Sequence, residues 1–147
     1  MNIAIIGTGY VGLVSGTCFA EMGNQVTCVD IDEEKVDMLR GGKLPIYEPD
    51  LEHYFARNRK EGRLTFTTSY DDAVLDADVI FLALPTPPGE DGSADLSYVL
   101  QAAGTVADLL IEEDEPGYKI VVNKSTVPVG TADRVSETMS DRGLSVG

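Results

Sequence analysis

Gly7, Gly9, Gly12 and Asp30 are the residues whose types and spacing point most directly to chemistry. Gly7 allows a tight turn. Gly9, without a Cβ, lets the backbone come close to a pyrophosphate, and Gly12 lets a helix pack tightly on a sheet. A helix opening at Tyr10 and Val11 would offer free N–H groups and a partial positive charge to the phosphates. Asp30 lies 18 positions after Gly12, where a carboxylate can accept hydrogen bonds from adenosine ribose hydroxyls. Together these residues predict a dinucleotide site.

A carboxylate at Asp30 repels a 2′-phosphate, and its neighbours Asp32, Glu33 and Glu34 supply no arginine to welcome one. The expected cofactor is therefore NAD rather than NADP. Two further polar segments carry candidate contacts, Pro85-Thr86-Pro87 and Asn123-Lys124-Ser125-Thr126-Val127-Pro128. The Thr86 hydroxyl is free to meet ribose or pyrophosphate. Ser125 and Thr126 fall at the expected start of the last helix, where a hydroxyl either caps the helix or faces the ligand.

Elements must bring these segments together. Ile3-Ala4-Ile5-Ile6 reads as a strand running into the glycine loop. Val11, Val14, Ser15, Cys18, Phe19 and Met22 recur at helical spacing and predict a helix burying that face. A second strand over 25–29 leads to Asp30. Short helices over 32–40 and 50–60 flank a proline-punctuated link, and strands follow at 64–67, 79–84 and 119–122, with a short helix at 70–75. Leu96, Val99, Leu100, Ala103, Val106, Ala107, Leu110 and Ile111 form one continuous apolar stripe after a turn-rich loop at 85–95. Pro128 suits the first turn of a last helix reaching about residue 140, and 144–147 reads as the approach to a sixth strand. Alternating strands and helices imply a parallel sheet covered on both faces. The expectation is an α/β, Rossmann-type doubly wound sheet in the order 3-2-1-4-5 with a truncated sixth strand. Its crevice lies where the first, fourth and fifth strands end.

The 147 residues, 43% of them hydrophobic, suit one domain, residues 1–147, with a full core. A net charge of −14 argues against nucleic-acid or anionic-membrane partners. It reflects either solvated charge, as in the run Glu112-Glu113-Asp114-Glu115, or adaptation to high salt. No basic leader precedes the first strand, and no apolar run reaches the ~18 residues of a membrane span, so a cytoplasmic location is expected. Cys18 and Cys28 read as small buried hydrophobes in a reducing compartment. His53 is the single histidine and no metal is assigned.

Four segments resemble the UDP-glucose/GDP-mannose dehydrogenase family over essentially the whole chain: Gly7-Thr8-Gly9-Tyr10-Val11-Gly12-Leu13-Val14-Ser15-Gly16, Leu44-Pro45-Ile46-Tyr47-Glu48-Pro49, Pro85-Thr86-Pro87, and Lys124-Ser125-Thr126-Val127-Pro128-Val129-Gly130. The last is the most distinctive. The resemblance implies oxidation of a nucleotide-sugar primary alcohol to a carboxylate with two NAD, UDP-glucose being the first expectation and UDP-N-acetylmannosamine or GDP-mannose the alternatives. It implies cofactor contacts at Val11, Asp30, Lys35, Thr86 and Thr126, with Thr126 also positioning a catalytic water. It further implies a homodimer or higher oligomer of the full-length protein. The catalytic cysteine, the general-base lysine, a dimerising helix and the substrate domain of such enzymes lie in later sequence, so this chain is expected to be inactive alone. A non-catalytic module that senses NAD(H) is the reading from another class.

Overall fold

A computed structural model describes residues 1–89, 92–113 and 116–147; Glu90 and Asp91 of the turn-rich loop and Asp114 and Glu115 of the acidic run lie outside the described residues. Five strands, β1 (Asn2–Ile6), β2 (Gln25–Val29), β3 (Leu64–Thr67), β4 (Val79–Leu82) and β5 (Ile120–Asn123), form one sheet in the order β3-β2-β1-β4-β5. Every pairing is parallel. The helices are α1 (Tyr10–Glu21), α2 (Glu33–Arg40), α3 (Leu51–Lys60), α4 (Asp71–Val74), α5 (Ser97–Glu112) and α6 (Thr131–Ser140). Among the described residues no helix is long and apolar enough to cross a membrane.

The alternation of side chains along a strand divides the core in two. Ile3 and Ile5 of β1 join a cluster with Leu13, Val36 and Phe55, under α1, α2 and α3. Ala4 and Ile6 join the opposite cluster with Val99, Val106 and Val135, under α4, α5 and α6. The central strand is thus buried on both sides, as its unbroken apolar run requires. At the amino end of the sheet, Lys119 Nζ donates to the carbonyls of Leu75 (2.6 Å) and Ala77 (2.9 Å), closing the turn after α4.

Three expectations need correction. In α1 the buried residues are Gly12, Leu13, Gly16, Thr17 and Ala20, whereas Val11, Cys18 and Met22 are exposed. The helix lies close to the sheet along Gly12 and Gly16, and the face that carries them is the one that is buried. A Cβ on Gly12 would run into the Gly7 carbonyl oxygen, and one on Gly16 would come within 3.0 Å of Cys28 Sγ. Cys28 is buried as expected; Cys18 is not. The last helix starts at Thr131, so Pro128 precedes its first turn. Gly130, at φ 89°, cannot belong to a right-handed helix, and Thr131 Oγ1 instead donates to the Pro128 carbonyl at 2.8 Å. Finally, residues 144–147 form no strand. Leu144 packs on the α5–α6 cluster after the left-handed turn at Gly143, at φ 102°.

Candidate functional site

The carboxyl ends of β1, β4 and β5 open onto a cleft of about 560 Å³. It is lined by Gly7, Thr8, Gly9, Tyr10, Val11, Asp30, Lys35, Thr86, Ser125 and Thr126, among others. Every expected cofactor contact except Gly12 therefore lines one cavity. Gly12 sits just behind, where its missing Cβ leaves room for the glycine loop.

The three fingerprint glycines have different causes. Gly7 has φ 105°, and a Cβ there would strike the Ala83 carbonyl; its N–H is tied to the Val29 oxygen at 2.8 Å. Gly7 and Gly12 are thus required by the protein's own packing. Gly9 has an ordinary φ of −71°, and a Cβ there would meet nothing within 4 Å. Neither backbone nor packing demands glycine at that position. What a Cβ would fill is the open cleft in front of α1. Gly9 is also the N-cap of α1 and makes no side-chain cap bond, so the first-turn N–H groups keep their donor capacity for a ligand. That cradle fits an anionic pyrophosphate.

Asp30 follows β2 and is held from several sides. Its Oδ2 accepts from the Thr8 N–H (3.1 Å), the Thr8 hydroxyl (2.5 Å) and Lys35 Nζ (2.9 Å). Its Oδ1 accepts from the Asp32 N–H at 3.1 Å and keeps further acceptor capacity. Burial pushes the carboxyl upward, but the Thr8, Lys35 and Asp32 donors outweigh it and hold the group below its ordinary value. The carboxylate is therefore ionised and oriented at neutral pH. Lys35 reaches it because Asp32 caps α2, accepting from the Lys35 N–H at 3.1 Å. Among the described residues lining the cleft, Lys35 is the only cation, and its charge is committed to Asp30.

Across the cleft, Thr86 Oγ1 donates to the Thr126 carbonyl at 2.8 Å. Ser125 Oγ accepts from the Leu84 N–H at 2.9 Å and lies 2.7 Å from the Leu84 carbonyl. Neither Ser125 nor Thr126 caps α6, which begins at Thr131 with Gly130 as its N-cap.

A smaller recess of about 240 Å³ continues the cleft past Asp30, lined by Val29, Ile31, Tyr70, Leu84, Tyr98, Gln101 and Thr105 among others. Sequence reasoning missed it. A signal was available: Tyr98, Gln101, Ala102 and Thr105 share one helical face beside the apolar stripe of α5. Ile31, 83% exposed straight after the acid, is a second. Burial, then the nearby Asp30 carboxylate, raise the Tyr70 hydroxyl above its ordinary value. No cysteine or histidine lines either cavity. Cys28 is buried and its thiol is pushed up to about 12 by that burial. Among the described residues no group of His, Cys, Asp and Glu gathers as a metal would need.

The fold and this cleft define a dinucleotide-binding domain of the Rossmann type. Its two halves meet at the switch between β1 and β4, where a cofactor would lie across the glycine loop. More particularly, the chain belongs to the UDP-glucose/GDP-mannose dehydrogenase family as its NAD binding domain, the family model matching residues 1–145. It is 55% identical over 137 residues to a UDP-glucose 6-dehydrogenase of Pseudomonas aeruginosa, covering 93% of this chain and 29% of that protein. The GDP-mannose dehydrogenase of Pseudomonas aeruginosa, solved as a ternary complex, superposes with a TM-score of 0.90 at 38% identity, over 97% of this chain and 32% of that one. A UDP-glucose dehydrogenase from Pyrobaculum islandicum gives 0.89 at 39% identity, over 96% and 32%. The chain thus spans about a third or less of the relatives it matches.

Proposed function

We propose that this chain is the cofactor-holding part of a nucleotide-sugar 6-dehydrogenase that converts the C6 alcohol of UDP-glucose to a carboxylate with two NAD. Bound NAD supplies the hydride acceptor. The chain's own residues bind and orient it: the α1 N-terminus at Gly9, Tyr10 and Val11 receives the pyrophosphate, and Asp30, steadied by Lys35, accepts from the adenosine ribose. Thr86 and Thr126 face the other half of the cofactor, and by family resemblance Thr126 holds the catalytic water. The observation that carries this reading is Gly9, where neither the backbone conformation nor any neighbouring atom excludes a side chain and the space in front of α1 is left open. UDP-glucose is preferred because the 55% identical relative is a UDP-glucose 6-dehydrogenase.

Oxidation through an aldehyde to an acid needs a thiolate that forms first a thiohemiacetal and then a thioester. Neither cysteine here lines the cleft, so the thiolate and the sugar pocket belong to a further domain of the working enzyme. The 147-residue chain incubated with NAD and UDP-glucose, GDP-mannose or UDP-N-acetylmannosamine should produce no NADH above background. Steady NADH production abolished by changing Cys18 or Cys28 would mean that the catalytic centre has been misplaced. Calorimetry tests the cofactor site itself. NAD should bind more tightly than NADP, and Asp30→Ala should cost about 1–3 kcal/mol of NAD affinity, the scale of charge-assisted hydrogen bonds. Equal affinity of the parent chain for both cofactors would sink the assignment.

A further inference from the structure

The register between β4 and β5 ends at Leu82 and Asn123, yet the loops beyond remain tied. The Lys124 and Ser125 amides both converge on the Leu82 carbonyl, at 2.9 and 3.1 Å. One residue further the backbones part, and the Ser125 side chain takes over. Its hydroxyl accepts from the Leu84 N–H at 2.9 Å and donates to the Leu84 carbonyl at 2.7 Å, with the Leu82 carbonyl at 3.2 Å as second acceptor. A side-chain hydroxyl here does the work of a backbone rung. A second tie follows where Thr86 Oγ1 donates to the Thr126 carbonyl at 2.8 Å.

A hydroxyl has one proton. At Ser125 that proton goes to a β4-end carbonyl, so none remains for a ligand. We infer that Ser125 is a positioning residue, whose hydroxyl staples the loop after β4 to the loop after β5 and so sets the rim that receives the nicotinamide half of NAD. The inference rests on reading the cleft as an NAD site, and it reassigns Ser125 from direct contact to support. It also fixes a polarity. With its own proton committed to Thr126, Thr86 can meet a ligand only as an acceptor. Phosphate oxygens only accept, so the partner of Thr86 is a donor of the nicotinamide half, a ribose hydroxyl or the carboxamide N–H, and not the pyrophosphate.

The adenosine half is held separately. The glycine loop is anchored to β2 through Gly7 and Val29, and Asp30 is anchored by Thr8 and Lys35. Ser125→Ala should therefore act on one half of the cofactor alone. Calorimetry on the 147-residue chain with NAD and with ADP provides the comparison. We expect NAD affinity to fall about tenfold, the scale of one or two net hydrogen bonds, while ADP affinity stays unchanged. A loss shared equally by NAD and ADP, or no loss for NAD, would overturn the inference. A parent chain that binds neither would instead overturn the NAD reading beneath it, before any variant is compared. Hydrogen exchange on the unaltered chain decides the matter even where Ser125→Ala fails to fold. The Leu84 amide should be protected, and exchange there as free as at a solvated loop amide would remove the staple.

Discussion

Gly9→Ala should separate ligand binding from folding. The added methyl group meets nothing within 4 Å, and φ is −71°, which suits any L residue. Removing a glycine from the unfolded chain stabilises by about 0.4–1 kcal/mol. Alanine is a poorer N-cap than glycine by roughly the same amount, so the two contributions nearly cancel. The melting temperature should move by no more than about 3 °C, since 1 kcal/mol shifts a domain of this size by about 2–4 °C. Gly12→Ala is the control, because its methyl group would collide with the backbone carbonyl of Gly7. Overpacking against atoms that cannot rotate away costs about 1–3 kcal/mol or more, and that variant should melt well below the parent. For NAD the order should reverse in Gly9→Ala: a methyl group where the pyrophosphate must approach should weaken binding at least about tenfold, or 1.4 kcal/mol. Thermal melts and calorimetry on the two variants give all four numbers. If Gly9→Ala binds NAD as the parent does, glycine at that position is not there for a phosphate, and the argument from the open cleft fails.

Two further outcomes concern charge. Glu21 accepts hydrogen bonds from Arg57 and Asn58, which lower its carboxyl from 4.5 to about 2. A depressed carboxylate stabilises the fold above its unfolded pKa and loses that contribution as pH falls. Glu21→Gln should therefore be less stable than the parent at pH 7, the gap closing between about pH 4.5 and 2; a gap independent of pH in urea melts would refute the pairing. Between Arg63 and Lys119 there is neither lysine nor arginine, and the whole chain carries −14. If that surplus reflects salt adaptation, self-repulsion is strongest in dilute buffer and shrinks as the Debye length falls to about 3 Å at 1 M. The melting temperature should rise between dilute buffer and molar potassium chloride, and a flat response would leave the acidic surface as solvated charge.

The strand order and the glycine loop were legible in the sequence because each follows from a local rule. Apolar runs separated by helical patterns dictate a parallel sheet, and topology alone brings Gly9, Thr86 and Ser125 to one rim. The face of α1 was not legible. Hydrophobicity points Val11, Cys18 and Met22 inward, but the buried face is Gly12, Leu13, Gly16, Thr17 and Ala20, with glycine where the helix comes closest to the sheet and the glycine loop. That distance is a tertiary quantity with no expression in residue polarity. The start of α6 was misjudged for a related reason, since the left-handed turn at Gly130 is set by the path of the loop and not by the proline before it. The recess beside Asp30 escaped because the apolar stripe of α5 is so continuous that the neighbouring face, with Tyr98 and Gln101, reads as its solvated edge.

The outward turn of α1 also equips the domain with a reporter. Cys18 lies on the exposed side of the helix that carries the glycine loop, about 12 Å along the axis from its first turn by the helical rise. Cys28, enclosed and held at about 12, is closed to alkylation at neutral pH. A maleimide dye will therefore attach at one place in the native chain without any substitution. It will ride on the same helix whose N-terminus opens onto the cleft, and so mark the domain without touching the glycine loop.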